Sequence, residues 1–321
     1  MDISDFKVSD LVNVCDQPLL LDVSESKPKA LNWIEENKEN INRLISENGA
    51  LLIRGLKIHG STQFGNILEK VFGGKLLEYS YRSTPRTEMR GNVFTATEYP
   101  EHEIIPQHNE NAYSRSWPNR IGFLCLIPPE TGGQTPISDS RLIYDRLPAD
   151  VREKFEKTGV MYVRNYSHLD LPWQEVFQTE NKEDVERFCA DNGLKFKWFD
   201  NGNLRTEQIN PAVQYHPETK EKLWFNQAHL FNVHSLAEDM RETLISTLGE
   251  DGVPRHTFYG DGTEIEPDVI KLINDLYEST KIRFDWQKGD LLLLDNMLFT
   301  HGRESFTGTR KVITGMACPN T

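Results

Sequence analysis

Cysteine is scarce in this sequence, and where it occurs it forms no pattern. The four thiols, Cys15, Cys125, Cys189 and Cys318, include no Cys-x-x-Cys pair, which excludes a zinc knuckle and offers no disulfide framework. Reduced, structural thiols are expected. Long apolar runs are also missing. No stretch approaches the ~20 residues that a membrane-spanning helix needs, and MDISDFKVSDLVNV lacks the basic start and apolar core of a signal peptide, so the expected location is the cytoplasm. Positive charge is the third shortage: 36 Lys and Arg stand against 49 Asp and Glu, a formal charge of -13. A field of that sign repels polyphosphate backbones and anionic bilayers, so neither nucleic acid nor membrane is an expected partner. Nor does any Gly/Ser or Pro-rich tract, long charge run or internal repeat divide the 321 residues.

What is present is enough apolar and aromatic material, 37% and 10% of the residues, to bury one sizeable core. One elaborated domain spanning 1–321 is expected, and a homo-oligomer is left open. Residues 31–48 place Leu31, Ile34, Ile41, Leu44 and Ile45 at helical spacing, and ALLIRG after them reads as a buried strand. TQFGNILEKVF reads as a second helix, and YSYRS and NVFTAT as extended segments. From residue 106 the text changes to short strands and turns: PQHNENAYS, the apolar run NRIGFLCLI, and the turn PPETGGQTPIS. Helices return at about 140–158, 181–192, 235–248 and 266–280, giving a helical insertion at about 140–280. The closing section reads as strand, Lys288-Gly289-Asp290 turn, buried strand and last strand. The fold class is mainly β with helical insertions, built on a jelly-roll core.

An ion that must activate dioxygen needs firm ligands on one face and open positions on the other, which two imidazoles and one carboxylate provide. His108-Asn109-Glu110 supplies two of the three, because residues i and i+2 of an extended segment point to the same side. His301 is the best third ligand, delivered by the buried strand in GDLLLLDNMLFT. His216-Pro217-Glu218 has the same spacing but sits in HPETKEKLW, which reads as a solvated hairpin turn, and is assigned to structure. His102, His229 and His234 lack a carboxylate partner in a strand context. A dicarboxylate cosubstrate would need the planar fork of an arginine. Arg310, nine residues beyond His301, meets that need, and Thr135 in GGQTPIS could add a hydroxyl.

Taken together, HNENAYSRSWP, PPETGGQTPISDSR, LWFNQAHLF and WQKGDLLLLDNMLFTHGRESFTGTRK resemble the taurine dioxygenase-like family of iron(II)/2-oxoglutarate oxygenases, closest to the branch containing the syringomycin-pathway aspartyl hydroxylase. The resemblance runs from about residue 45 to the end. It implies a double-stranded β-helix core, His108, Glu110 and His301 as ligands of Fe(II), and Thr135 and Arg310 as the 2-oxoglutarate site. It also implies consumption of O2 with release of succinate and CO2. Many members carry Asp where this chain has Glu110. A second arginine found beyond Arg310 in some relatives is replaced here by the Thr314-Gly315 region, which argues against a sulfonate substrate. Related halogenases leave the carboxylate position to Ala or Gly, so Glu110 argues against halogenation.

Hydroxylation of an unactivated C–H is the outcome the resemblance implies, with desaturation or oxidative cyclisation as alternatives from the same chemistry. The branch points to an amino-acid-like small molecule, free or presented by a carrier protein, in secondary metabolite biosynthesis. Substrate contacts are expected from YRSTPRT, through Ser83 and Arg86, and from LWFNQ, through Phe225 and Asn226. Arg86 could clamp a substrate carboxylate, and Arg303 either meets substrate or packs over the loop before Arg310. Two other classes compete: a zinc hydrolase or lyase, which gives Thr135 and Arg310 no task, and a non-catalytic jelly-roll binding protein, against which the intact ligand set counts.

Overall fold

The four leucines of Leu291–Asp295 are buried without exception, because this strand has structure on both of its faces. Alternate residues point opposite ways: Leu291 and Leu293 join one apolar cluster, Leu292 and Leu294 another. The computed structural model describes residues 18–320 apart from 27, 80, 82, 85, 97, 98 and 168. Cys15, Arg82 and Pro85 therefore lie outside the described residues. Of the other thiols, Cys125 and Cys189 are buried and Cys318 half-buried, all three unbridged.

Leu291–Asp295 lies inside a six-stranded sheet whose order is Leu19–Asp22, Ala50–Arg54, Leu291–Asp295, Pro118–Ile127, Lys311–Pro319 and Val93–Thr95. The first pair is parallel and the others antiparallel. Helices Ala30–Asn48 and Gly60–Phe72 cover one face, each ended by a glycine in the left-handed region, Gly49 and Gly73, as helix C-termini favour. Beneath the second helix, Gly122 and Gly315 are paired across neighbouring strands. A Cβ at either would run into the Leu68 side chain, so the two glycines form a notch that lets the helix seat closely. The opposite face packs Phe123, Cys125, Leu292 and Met316 against Ile137, Leu298 and Phe299. The last three belong to or adjoin a three-stranded sheet, Ile105–His108, Phe299–Arg303 and Ile137–Asp139. The space between these two sheets holds the candidate site.

The expected helix at 140–158 is two, Ser140–Arg146 and Ala149–Thr158. Pro148 causes the break: it forces Leu147 into an extended conformation and cannot donate to a helix. The helix expected at 235–248 is a 3-10 turn, Val233–Ser235, followed by Glu238–Leu248. The insertion is also more than helical. It carries a four-stranded antiparallel sheet, Arg255–Tyr259, Val160–Tyr166, Leu204–Asn210 and Lys195–Trp198, with its own aromatic core around Tyr113, Phe155, Trp224 and Phe231. Extended structure expected for YSYRS is not a strand among its described residues, although Tyr79 and Tyr81 are buried there.

The glycine notch gives a measurable expectation. Gly122→Ala costs about 1–3 kcal/mol by overpacking, and Leu68→Ala about 2–5 kcal/mol by leaving a cavity. In the double variant the alanine methyl occupies part of that cavity, so urea melts should give a combined loss smaller than the sum; simple additivity would mean that Gly122 and Leu68 do not meet.

Candidate active site

His108 closes the strand Ile105–His108 and pairs in register with His301 on the neighbouring strand. The two rings are 4.6 Å apart at their centroids. His108 Nδ1 lies 2.8 Å from the Pro106 carbonyl oxygen and donates to it, which fixes the tautomer and leaves the Nε2 lone pair turned inward. The His301 ring rests against Phe123 at 5.1 Å, and its Nδ1 has no partner among the described residues. Glu110 sends Oε2 between them, 3.4 Å from His301 Nε2 and 4.0 Å from His108 Nε2. All three residues are buried, and their ligand atoms lie within 4.8 Å of one another. Two imidazole nitrogens and one carboxylate oxygen converging within 4.8 Å in a buried pocket fit the donor set that an iron(II) ion takes.

Burial pushes the His108 imidazole down to about 3, with the nearby His301 adding to the effect. Burial alone would raise Glu110, yet Arg86 and the two imidazoles hold its carboxyl well below the usual range. Arg86 is the direct cause: Nη2 donates to Glu110 Oε2 at 2.7 Å, with both side chains at about 5% exposure. Its guanidinium lies 4.6 Å over the Tyr79 ring.

The backbone of the ligand tripeptide is held by residues that the sequence reading did not single out. Asn296, just past the buried leucine strand, accepts from the Glu110 N–H at 2.7 Å and donates to the Glu110 carbonyl at 3.0 Å and the Pro118 carbonyl at 2.8 Å. Asn109 turns away from the cluster of His108, Glu110 and His301, donating to Ser140 Oγ and the Asn296 carbonyl. Its own carbonyl accepts from Gln227 Nε2 at 2.7 Å. The available signal was an Asp-Asn pair closing an all-leucine strand, a place where polar side chains need a structural reason.

Across the same cavity stand Thr135 and Arg310. Arg310 Nη2 is 3.3 Å from Thr135 Oγ1, and its Nε donates to the Gly133 carbonyl at 2.9 Å. Burial, then the charge of Arg303, bring the guanidinium down to about 10, the signature of a cation short of a counter-ion. Thr314 lines the cavity too, its hydroxyl donating to the Gly122 carbonyl.

The remaining substrate candidates divide. Ser83 is half-buried near Arg86, its carbonyl accepting from Arg255. Arg303 lines the cavity but spends both terminal nitrogens on the carbonyls of Tyr99, Pro100 and Glu103, so it braces that loop. Phe225 and Asn226 are engaged elsewhere. Phe225 is buried against Trp117, and the Asn226 amide is consumed by the backbone of Ala212 and Ala228; neither lines the cavity. Their neighbour Gln227 does not line it either, but holds the Asn109 carbonyl between His108 and Glu110. His216 is buried, its Nε2 bonded to Asp295 and its Nδ1 accepting from the turn amides of Glu218 and Thr219.

Donors able to hold an ion on one face, with a guanidinium across the cavity able to meet a dicarboxylate, match the plan of the non-haem iron(II), 2-oxoglutarate-dependent oxygenases, and the chain is a dioxygenase of this class. Residues 16–317 match the family model described as Taurine catabolism dioxygenase TauD, TfdA family, and the chain belongs to that family, whose members use Fe(II), 2-oxoglutarate and O2. The dapdiamide synthesis protein DdaC of Enterobacter agglomerans is 38% identical over 280 residues, 87% of this chain and 85% of that protein. A clavaminate synthase-like protein of Arabidopsis thaliana is 31% identical over 303 residues, covering 91% and 88%. In fold the chain is similar to PvcB of Pseudomonas aeruginosa, with a TM-score of 0.55 and 15% identity over 94% of this chain and 85% of that one.

Asn296→Ala should strip the Glu110 backbone of its partners, lowering affinity for a divalent ion about 10–100-fold with about 1–3 kcal/mol lost from the fold; calorimetric titration with Co(II) and a thermal melt read both. His229 gives a pH expectation. It is buried, its Nε2 donates to the Gln107 carbonyl, and burial lowers it from 6.5 to about 4. The unfolded chain takes up a proton there that the folded chain refuses, so stability is full above pH 6.5 and falls as pH drops towards about 4. Melts of the metal-free protein should show this slope, and His229→Gln should flatten it.

Proposed function

We propose that the enzyme hydroxylates an unactivated C–H of an amino-acid-like metabolite, free or presented by a carrier protein. His108, Glu110 and His301 hold the iron, and Thr135 and Arg310 hold the distal carboxylate of 2-oxoglutarate. The observation that carries this reading is the placement of the three ligand atoms and the Arg310–Thr135 pair on one buried cavity. The six-stranded and three-stranded sheets are read as the two faces of a double-stranded β-helix. The whole chain is read as one catalytic unit in which the insertion contributes Gln227. Relationship to a dapdiamide synthesis protein supports a place in small-molecule biosynthesis.

When bound, iron(II) with 2-oxoglutarate supplies the oxidant, with succinate and CO2 as products. The residues supply position and dryness. The Pro106 carbonyl orients His108, Asn296 fixes the backbone beneath Glu110, and Arg310 with Thr135 sets the direction in which the dicarboxylate enters. Phe123, Ala96 and Val312 give the cavity apolar walls, which keep water from a reactive centre. Arg86 is the group placed to orient a substrate carboxylate. A carboxylate at 110 leaves no ligand position for halide, so hydroxylation is favoured over halogenation.

The test is optical. Mixed anaerobically with Fe(II) and 2-oxoglutarate, the wild-type protein should give a weak visible metal-to-ligand charge-transfer band. His108→Ala should lose it, and Arg310→Ala should need at least about thirtyfold more 2-oxoglutarate, as expected for ~2 kcal/mol of lost charge-assisted pairing. A wild-type protein that binds zinc tightly yet gives no band would overturn the assignment.

A further inference from the structure

Three guanidinium groups, Arg86, Arg303 and Arg310, line one cavity with His108 and His301. They are not equally committed. Arg303 is tied to three loop carbonyls, and Arg310 lies beside Thr135 where the cosubstrate is proposed to enter. Arg86 makes one side-chain hydrogen bond to a described residue, to Glu110 Oε2, and its buried Nε has no partner among the described residues. That same Oε2 is the carboxylate oxygen turned towards both imidazole Nε2 atoms.

One oxygen therefore faces two claims. An ion accepted by Glu110 brings further positive charge against a guanidinium that is nine-tenths buried, where water screens poorly and an unmatched charge is costly. Building on the metal assignment above, we infer that Arg86 is an exchangeable counter-ion: it neutralises Glu110 in the empty site and, once metal is bound, pairs with a carboxylate on the substrate. Two consequences follow. The substrate belongs to the carboxylate-bearing class, since a neutral molecule would leave Arg86 unmatched. Metal and anionic substrate also strengthen each other's binding, by the same factor in each direction.

Mn(II) binding, followed by electron paramagnetic resonance, tests the coupling without turnover. The probes are acetate and its neutral isostere acetamide, at matched ionic strength and with saturating 2-oxoglutarate to occupy the Arg310 side. Acetate should tighten Mn(II) binding to the wild-type protein at least about fivefold, and acetamide should not. Arg86→Met, and Arg86→Gln as a second variant, should bind Mn(II) more tightly than wild type without acetate and show no acetate response. Equal effects of acetate and acetamide, or weaker Mn(II) binding by the folded variants, would overturn the exchange and leave Arg86 as a fixed clamp on Glu110. Wild-type protein that binds no Mn(II), or binds it as well after His108→Ala, would overturn the metal assignment itself and the inference with it.

Discussion

The pairing of the Asn296 amide with the backbone N–H and C=O of Glu110 is the joint through which the sheet positions the chemistry. A side-chain amide presents one acceptor and two donors; here all three are used on main chain, so Asn296 behaves like an extra residue of strand laid beside Glu110. Its own place is set by the four buried leucines before it, which cannot slide by one residue without exchanging their two faces. The ligand tripeptide thus inherits the register of the most buried strand of the molecule. His301 follows from the same strand and turn, so both sides of the candidate metal site are referred to one origin.

Charge sets the second constraint. Arg120 and His216 meet Asp295 immediately beneath the joint, and Arg86 meets Glu110 above it. Each carboxylate that the fold buries here is paired, as buried charges must be.

The sequence showed the parts of this design that depend on local pattern. His108-Asn109-Glu110 could be read because a strand puts alternate residues on one side, and the leucine run because it lies in a sheet covered on both faces. The sheet of the insertion was hidden for the opposite reason. In Leu204–Asn210 the inward positions after Leu204 are Thr206, Gln208 and Asn210, polar residues bonded to Tyr166, Asn192 and Tyr113, partners that no short window displays. The surroundings of Phe225 and Asn226 were not legible, because which side chain turns inward after the short strand Lys222–Trp224 depends on how that strand pairs, not on its composition. Asn296 was passed over because nothing local says that a polar residue after a leucine run will serve a segment far away in the chain.

His108 and His301 flank the insertion, and Arg310 comes later still. During synthesis the emerging polypeptide therefore presents only two of the three clustered donors, His108 and Glu110, until the Phe299–Arg303 strand has left the ribosome and docked. Under the proposed metal assignment, iron met before that moment would find only His108 and Glu110, beside a strand whose partner Phe299–Arg303 is still missing. On that assignment loading would follow tertiary closure, with the ion entering a finished cavity and not templating the fold around itself.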